Sequence, residues 1–302
     1  MTVRRGSGYL LSNTQIVREV DRRFPHAEIS SDGSWDADIS TPPARLQSVS
    51  PWGRESVVYC VNQDFFPGLM ASLRSLIHFH PLVPIIVISW DLTSEQELFL
   101  SGFVTVVSRR MDLPDDPVWG RLGVFHLDIS RAIYLDADTI LLRPIDDLLS
   151  MHVPFAAAPN LDWTIKENFK DQQILRECKL DPELPAFNSG VLAVDVKFWG
   201  TRLFDELLEL HNKYGDWFLL GDQSALIMAF NRSPYPFTWL PRELNAIAEF
   251  WDWKIEPNQP RILHYAGPEK PWLPNCSYPK IDSFFKWSKI PLPADISGRK
   301  EK

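Results

Sequence analysis

Two aspartates that end an apolar strand constrain this chain more than any other feature of its sequence. Ala132, Ile133 and Leu135 predict a short buried strand, and Asp136 and Asp138 follow it. Residues two apart on a strand point to the same side, so the two carboxylates lie together at the strand end. An apolar core cannot hold such a pair unpaired. The pair is therefore either hydrated at the rim of a sheet or bound to a cation.

Strand and helix patterns alternate along the first half of the chain. Apolar runs predict strands at 56–61, 85–89 and 103–107, and amphipathic patterns predict helices at 67–80, 93–100 and 118–127. This alternation implies parallel strands joined by right-handed crossovers. In such sheets ligands collect at the carboxyl ends of the strands, and Asp136 lies at one of them. The expected fold class is α/β, with a Rossmann-like, mostly parallel sheet flanked by helices.

The second half is less regular, and both ends differ from the middle. We predict a strand at 191–196, a helix around 204–211 and a short helix at 222–230, followed by loops in the Trp- and Pro-rich stretch 233–260. Residues 1–52 are expected to form an N-terminal extension with one helical stretch at 14–23 and partial disorder. Residues 53–283 are then the main domain, with an irregular C-terminal half, and 284–302 a polar tail.

Composition excludes several classes of protein. The 302 residues are 45% hydrophobic and 23% charged, as in a globular protein, and the net charge of -8 argues against a nucleic-acid partner. No apolar run approaches the roughly 18 residues of a membrane span, and we expect no signal peptide and no integral membrane segment. Cys60, Cys178 and Cys276 are odd in number and far apart. They fit no zinc or disulfide spacing, which favours a reducing, cytoplasmic setting.

A second apolar strand ends with groups that complement the acidic pair. His264 closes it, and Gly267 and Lys270 follow in a turn stiffened by Pro271. Carboxylates suit Mg²⁺ or Mn²⁺, and an added imidazole favours Mn²⁺. Glycine lets the backbone approach a phosphate, and lysine supplies a point charge to it. The ordinary alternatives are a structural histidine and a surface turn.

Two further motifs are weak when each is taken alone. The residues Phe-Asn-Ser-Gly at 187–190 open the strand predicted at 191–196, and a turn of this composition is common. Gly221, Asp222 and Gln223 begin a predicted helix, where an aspartate is an ordinary N-cap.

The four motifs together, in this order, resemble glycosyltransferase family 8, the glycogenin-like retaining enzymes. That family shows an Asp-x-Asp pair at a strand end, a Phe-Asn-(Ser/Ala)-Gly strand, an Asp-Gln helix and a His-x-x-Gly-x-x-Lys-Pro-Trp segment. Here they lie at 134–138, 187–190, 222–223 and 264–272. The resemblance covers roughly residues 55–275 and implies the GT-A fold, a Rossmann-like sheet with a nucleotide-sugar cleft.

The resemblance also implies a ligand set. Asp136, Asp138 and His264 would bind Mn²⁺, with Mg²⁺ as the other candidate, and Lys270 and the Gly267 backbone would hold the diphosphate of a UDP-sugar. Further donor-binding candidates are Cys60, Asn62 and Phe65 beside the uridine, Asp136 and Ala137 near the ribose, and Arg121 at the diphosphate or sugar. Asn188, Asp222 and Gln223 would face the donor sugar and are the candidate catalytic residues.

The implied function is transfer of a hexose, glucose or galactose, from a UDP-sugar to an acceptor hydroxyl with retention of configuration. A retaining hydrolase would use a carboxylate nucleophile. No carboxylate clearly matches that role, and the Gln223 amide is a poor nucleophile, so we favour front-face substitution, with Asp222 as the alternative nucleophile or sugar-positioning group. The acceptor is a glycan, a protein or a small molecule, and the resemblance is compatible with a homodimer.

Some residues depart from the glycogenin pattern. Leu219 stands where glycogenin-like chains often carry an additional acid, and Tyr235 and Tyr265 lack the context of a self-glucosylated tyrosine. An external acceptor is therefore expected.

Two other functions remain open at this point. A sugar-phosphate nucleotidyltransferase would carry a Gly-rich basic loop after its first strand, and residues 62–67 do not. A catalytically idle nucleotide-sugar-binding protein would have lost a metal ligand, and all three are present.

Overall fold

The computed structural model describes residues 27–29, 35–37, 55–109, 113–251, 259–274, 276–277 and 281–288. The helical stretch predicted at 14–23 lies outside these residues, as do most of the extension and most of the tail. The strands, in chain order, are Ala27–Ile29 (β1), Trp35–Ala37 (β2), Glu55–Val61 (β3), Ile85–Ser89 (β4), Thr105–Ser108 (β5), Arg131–Leu135 (β6), Thr139–Leu141 (β7), Phe155–Thr164 (β8), Pro185–Val194 (β9), Thr238–Trp239 (β10), Ala246–Ile247 (β11) and Ile262–His264 (β12).

The α-helices are Phe66–Phe79 (α1), Ser94–Ser101 (α2), Asp146–Leu149 (α3), Gln173–Glu177 (α4), Val196–Trp199 (α5), Arg202–Tyr214 (α6), Asp222–Arg232 (α7) and Ile281–Ser288 (α8). Short 3-10 helices lie at Gln63–Phe65, Pro117–His126, Ile165–Asn168, Gly215–Trp217 and Arg242–Leu244. Among the described helices, none combines the length and the apolar composition needed to cross a bilayer.

The central sheet has seven strands in the order β10-β8-β9-β6-β3-β4-β5. Its pairings are parallel except those of β9, which runs antiparallel to both β6 and β8. The predicted α/β class and mostly parallel sheet are therefore confirmed. Strand β9 is the exception because residues 165–184 contain only one 3-10 helix and the short α4, so the chain turns back directly without a crossover.

Apolar side chains cover both faces of this sheet. Along β3, Val57 and Tyr59 pack on the face covered by α1, whereas Val58 packs on the face covered by α6 and α7. This alternation follows from the period of a strand. Because both faces of the sheet are covered by apolar side chains, the polar site residues lie at its carboxyl edge.

A small second sheet, in the order β11-β12-β7, aligns the later part of the chain with the acidic pair. Strand β12 runs antiparallel to β7, and its register pairs His264 with Thr139. Strand β11 runs parallel to β12 on the other side and pairs Ile247 with His264. These pairings bring His264 beside the turn that carries Asp136 and Asp138.

Four local predictions differ from the structure. The segment predicted as a helix at 118–127 is the 3-10 helix Pro117–His126, in which two glycines disfavour a regular α-helix. The strand predicted at 191–196 begins earlier, at Pro185, and ends at Val194, because Asp195 caps α5. The stretch predicted as loops at 233–260 contains β10 and β11, and its residues 252–258 lie outside the described part.

The predicted tail also begins later than residue 284. Residues Ile281–Ser288 form α8, which buries Phe284 and Phe285. Arg74 of α1 donates hydrogen bonds to the carbonyl oxygens of Trp287 and Ser288 at the end of this helix. The segment was predicted to be a polar tail because most of its residues are polar, although one face of the helix is apolar.

Candidate active site

Asp136 and Asp138 lie in a tight turn at the carboxyl end of β6. The Asp136 backbone N–H donates to Gly190 of β9 at 2.8 Å, and its carbonyl accepts from the Thr139 hydroxyl at 2.8 Å. His264 Nε2 lies 3.3 Å from Asp138 Oδ1 and 3.7 Å from Asp136 Oδ2. One ligand atom from each of the three side chains lies within 4.8 Å of the others. The structure therefore brings the three predicted metal ligands together.

The chemistry of this donor set fits a divalent cation. Asp138 and His264 are only 4% and 3% exposed, and Asp136 is half-buried. Asp138 Oδ1 is buried and accepts no hydrogen bond from the described residues, which is costly for a carboxylate oxygen unless a cation is bound. Two carboxylates and one imidazole suit Mn²⁺ or Mg²⁺.

Gly190 makes room for the three ligands. A Cβ atom at this position would lie 2.2 Å from His264 Cε1 and 2.9 Å from Asp136 Oδ2. Any side chain would therefore displace two of the three ligands. The last residue of the Phe-Asn-Ser-Gly motif is consequently a requirement of the cluster itself.

Lys270 lies directly against the cluster. Its Nζ donates to Asp138 Oδ2 at 2.6 Å and to the Tyr265 carbonyl at 2.9 Å, and it lies 5.0 Å from the centre of the Phe65 ring. Burial alone would raise the pKa of Asp138, but the ammonium of Lys270 holds that pKa below its ordinary value. Gly267, with a φ of 97°, adopts the left-handed conformation that returns the chain from His264 to Lys270.

Arg121 connects the acidic pair with Asp222. Its Nη2 lies 3.5 Å from Asp136 Oδ1, and its Nε lies 2.5 Å from Asp222 Oδ2. Its Nη1 also donates to the carbonyl oxygen and to the hydroxyl of Ser189, both at 2.6 Å. Asp222, the first residue of α7, is fully buried, and this burial raises its pKa to about 7 although Arg121 opposes the shift.

The amide of Gln223 is held at both ends. Its Oε1 accepts from the Ser189 backbone at 2.9 Å and from the Ser189 hydroxyl at 3.2 Å. Its Nε2 donates to Asn168 Oδ1 at 3.0 Å. Gln223 therefore ties α7 to β9.

The predicted uridine-side residues lie at the end of β3, in the strand next to β6. Asn62 Oδ1 accepts from the Phe65 backbone at 3.2 Å and caps the 3-10 helix Gln63–Phe65. The Phe65 ring meets the Trp272 ring edge-on at 5.6 Å. The Cys60 thiol lies beneath Gly120, next to Arg121, and burial raises its pKa to about 12, so it stays neutral. Ala137 is buried within the metal-side turn.

Three residues that sequence reasoning missed support the site. Asn245 Oδ1 lies 2.8 Å from His264 Nδ1, and Asn245 Nδ2 donates to Asn188 Oδ1 at 2.8 Å. Asn168 holds Gln223, and Ser189, which the sequence treated only as part of a turn, binds Arg121. No local pattern distinguishes these residues, because each acts through a partner that is distant in the sequence.

Comparison with known proteins agrees with this architecture. The family model described as "Glycosyl transferase family 8" matches residues 118–276, which is more than half of the chain. The "Lipopolysaccharide 1,2-glucosyltransferase" of Escherichia coli (strain K12) is 25% identical over 308 residues, with 89% of this chain and 84% of that protein covered. The "General stress protein A" of Bacillus subtilis (strain 168) is 26% identical over 186 residues, with 55% and 63% covered.

The fold also matches solved structures. A crystal structure of the galactosyltransferase LgtC in complex with donor and acceptor sugar analogs superposes with a TM-score of 0.62 at 16% identity, covering 80% of this chain and 99% of that one. The expected GT-A fold and the expected family are thereby confirmed.

Proposed function

Because this chain belongs to glycosyltransferase family 8, we propose that it transfers a hexose, glucose or galactose, from a UDP-sugar to an acceptor hydroxyl with retention of configuration. The family and the fold establish glycosyl transfer as its class of activity. The glucosyltransferase relative supports glucose as the donor sugar, and the galactosyltransferase neighbour supports galactose. We also propose a reducing, cytoplasmic setting, from the number and spacing of the cysteines in the sequence.

The observation that carries the proposal is the Asp136–Asp138–His264 cluster, in which Asp138 and His264 are buried, with Lys270 against it. A buried carboxylate oxygen that accepts no hydrogen bond from the described residues, beside an imidazole nitrogen and a second carboxylate, is an arrangement that a divalent cation would complete. When bound, Mn²⁺ or Mg²⁺ would stabilise the negative charge that develops on the leaving diphosphate.

The side chains around this cluster have distinct proposed roles. Lys270 contributes a buried positive charge to the diphosphate, and the Gly267 turn sets the approach of the backbone. Arg121, paired with Asp136 on one side and with Asp222 on the other, keeps positive charge at the donor end of the cleft. The uridine would lie along the end of β3, beside Cys60, Asn62, Phe65 and Ala137.

The surroundings of Asp222 and Gln223 support front-face substitution. Asp222 is fully buried against Arg121, and the Gln223 amide is bound at both ends, so neither group is free to attack the anomeric carbon in this arrangement. In the proposed reaction the acceptor oxygen bonds to the anomeric carbon as the sugar–phosphate bond breaks. The leaving phosphate oxygen takes the acceptor proton, so charge and atoms balance. Asp222 and Gln223 then position the sugar side of the cleft together with Asn188.

The direct test is release of UDP from a panel of UDP-sugars without acceptor, in Mn²⁺ or in EDTA. The panel contains the glucose, galactose, glucuronic acid, xylose and N-acetylglucosamine donors. We expect slow, Mn²⁺-dependent release from UDP-glucose or UDP-galactose, and its loss in Asp138→Asn.

A matched control is Asp195→Asn, because Asp195 caps α5 outside the site and accepts from the Phe198 backbone at 2.8 Å. This variant should retain release. No release from any donor, together with no Mn²⁺-dependent thermal shift by UDP, would refute the proposal.

A further inference from the structure

A chain of hydrogen bonds leads from the backbone of β9 to the far side of the His264 ring. The Gly190 N–H donates to Asn188 Oδ1 at 2.9 Å. Asn245 Nδ2 lies 2.8 Å from the same oxygen, and Asn245 Oδ1 lies 2.8 Å from His264 Nδ1. The side chains of Asn188, Asn245 and His264 are all buried, so water does not compete for these contacts.

The backbone end of this chain fixes the orientation of every group in it. A backbone N–H can only donate, so the Asn188 atom that faces Gly190 must be the amide oxygen. That oxygen also faces Asn245, which must therefore present its NH₂ group. The Asn245 oxygen then faces His264, and because an amide oxygen only accepts, the proton must be on His264 Nδ1.

The position of this proton determines what the other ring nitrogen can do. A neutral imidazole carries one proton, so a proton on Nδ1 leaves the lone pair of Nε2 free. Nε2 is the atom that faces Asp136 and Asp138. Two carboxylates at 3.3 and 3.7 Å would otherwise favour a proton on Nε2, which would block coordination by that atom.

We propose that Asn245 and Asn188 are positioning residues that hold His264 in the Nδ1–H tautomer, so that Nε2 is ready to bind a divalent cation. The inference rests on the proposed metal site and assigns Asn188 a role besides its predicted one at the donor sugar. The strand pairing supports it, because the Ala248 N–H donates to the His264 carbonyl at 2.8 Å and so fixes the segment after Asn245 against the histidine.

The protonation of His264 can be observed without any metal. The protein has seven histidines, and nitrogen-15 NMR of the histidine side chains at alkaline pH distinguishes a protonated ring nitrogen from a bare one. A His264→Gln variant assigns the signal. We expect a protonated Nδ1 and a bare Nε2 in the wild type. A proton on Nε2 in the wild type would overturn the proposal, whatever the variants do.

Asn245→Leu keeps a similar volume and removes both polar contacts. We expect it to move the His264 proton to Nε2 and to weaken the binding of Mn²⁺ alone about 10- to 100-fold, measured by electron paramagnetic resonance of free Mn²⁺. Asn245→Asp keeps an acceptor for Nδ1–H and should retain the tautomer and bind Mn²⁺ more tightly than Asn245→Leu. An unchanged tautomer and affinity in Asn245→Leu would refute the positioning role.

Asn231→Leu is the matched control. Within the described part of the chain, the Asn231 side chain donates one local bond, to the Ile227 carbonyl at 2.8 Å, at the opposite end of α7 from Asp222. Asn231→Leu should change neither the tautomer of His264 nor the affinity for Mn²⁺.

The outcomes also separate this inference from the proposed function. A wild type with a proton on Nδ1 that binds no Mn²⁺ would refute the metal dependence and leave the hydrogen-bond assignment standing. A wild type with a proton on Nε2 that still shows Mn²⁺-dependent release of UDP would refute only the assignment.

Discussion

Lys270 Nζ lies 2.6 Å from Asp138 Oδ2, so the lysine proposed for the diphosphate also neutralises a proposed metal ligand. The carboxylate of Asp138 therefore faces the lysine through one oxygen and His264 through the other. If a cation and a diphosphate bound together, the cation would bind the Asp138 carboxylate, and the Lys270 ammonium could then pair with the diphosphate. Each negative group would keep a positive partner. We therefore expect binding of the two ligands to be coupled, and such coupling is reciprocal.

Lys270→Met separates the two roles of the lysine. We predict that this variant binds Mn²⁺ alone at least as tightly as the wild type, because a competing positive charge is removed from Asp138. Its affinity for UDP in saturating Mn²⁺ should fall about 10- to 100-fold, since a hydrogen bond to a charged group contributes about 1.5–3 kcal/mol. Calorimetric titration measures both affinities, that for Mn²⁺ alone and that for UDP in saturating Mn²⁺.

The control for this variant is Lys166→Met, which removes an ammonium that lies 3.0 Å from Glu183 at the surface. It should leave both affinities unchanged. Equal losses of Mn²⁺ and UDP affinity in Lys270→Met would contradict the coupling.

Gly190→Ala tests the space that the cluster requires. Because the new Cβ would lie 2.2 Å from His264 Cε1, we predict loss of Mn²⁺ binding in a protein that still folds. Gly200→Ala is the comparison: Gly200 has a φ of 53°, and no atom of the described residues lies within 4 Å of its added Cβ. It should lower the melting temperature through backbone strain and leave Mn²⁺ binding intact. Normal Mn²⁺ affinity in Gly190→Ala would show that the cluster is not the metal site.

The Arg121–Asp222 pair predicts a strongly non-additive double mutant. Arg121→Met leaves the Asp222 carboxylate buried without its cation, and we expect a loss of about 3–5 kcal/mol in the free energy of unfolding. The double variant Arg121→Met/Asp222→Asn should recover most of that loss, because no buried charge is stranded. Urea unfolding measures each variant, and additive losses would contradict a direct pairing.

Asp222 also predicts a pH dependence with a defined sign. Burial raises its pKa to about 7, so the folded protein holds this proton more tightly than the unfolded chain, whose aspartates have a pKa of about 3.9. The stability contributed by Asp222 is therefore complete below about pH 4 and is lost as the pH rises through about 7. Measured against Asp222→Asn, the wild type should lose stability over this interval. A gain in stability of the wild type relative to Asp222→Asn over this interval would show that folding does not raise the pKa of Asp222.

The position of the acidic pair could be predicted from the sequence because it depends on local pattern. The apolar residues before Asp136 identify a strand, and its end marks where the two carboxylates lie. The strand period expected to align them is wrong in detail, because β6 ends at Leu135 and a turn brings Asp136 and Asp138 together. The approach of His264 depends on the register of β12 against β7, which hydrophobic pattern does not encode, and only the order of the four motifs anticipated it.

Features that depend on distant partners could not be predicted. The antiparallel direction of β9 follows from a short connection with no crossover helix. The apolar residues of a strand do not indicate whether it pairs parallel or antiparallel. Asn245 has its role only because β11 pairs with β12. The buried face of α8 could not be predicted because Phe284 and Phe285 occur in a polar segment. Their partners on α1 are also distant in the sequence: Arg74 and Ser288, which are in contact, are 214 residues apart.

In the proposed function, Asp136, Asp138 and His264 form a cation site that carries the diphosphate of a UDP-sugar. Calorimetric titration of UDP into the protein, with Mn²⁺ and then with EDTA, tests it most directly when wild type and Asp138→Asn are compared. We expect UDP to bind the wild type only in the presence of Mn²⁺ and to lose this binding in Asp138→Asn. Equal binding of UDP in EDTA, or by Asp138→Asn, would contradict it.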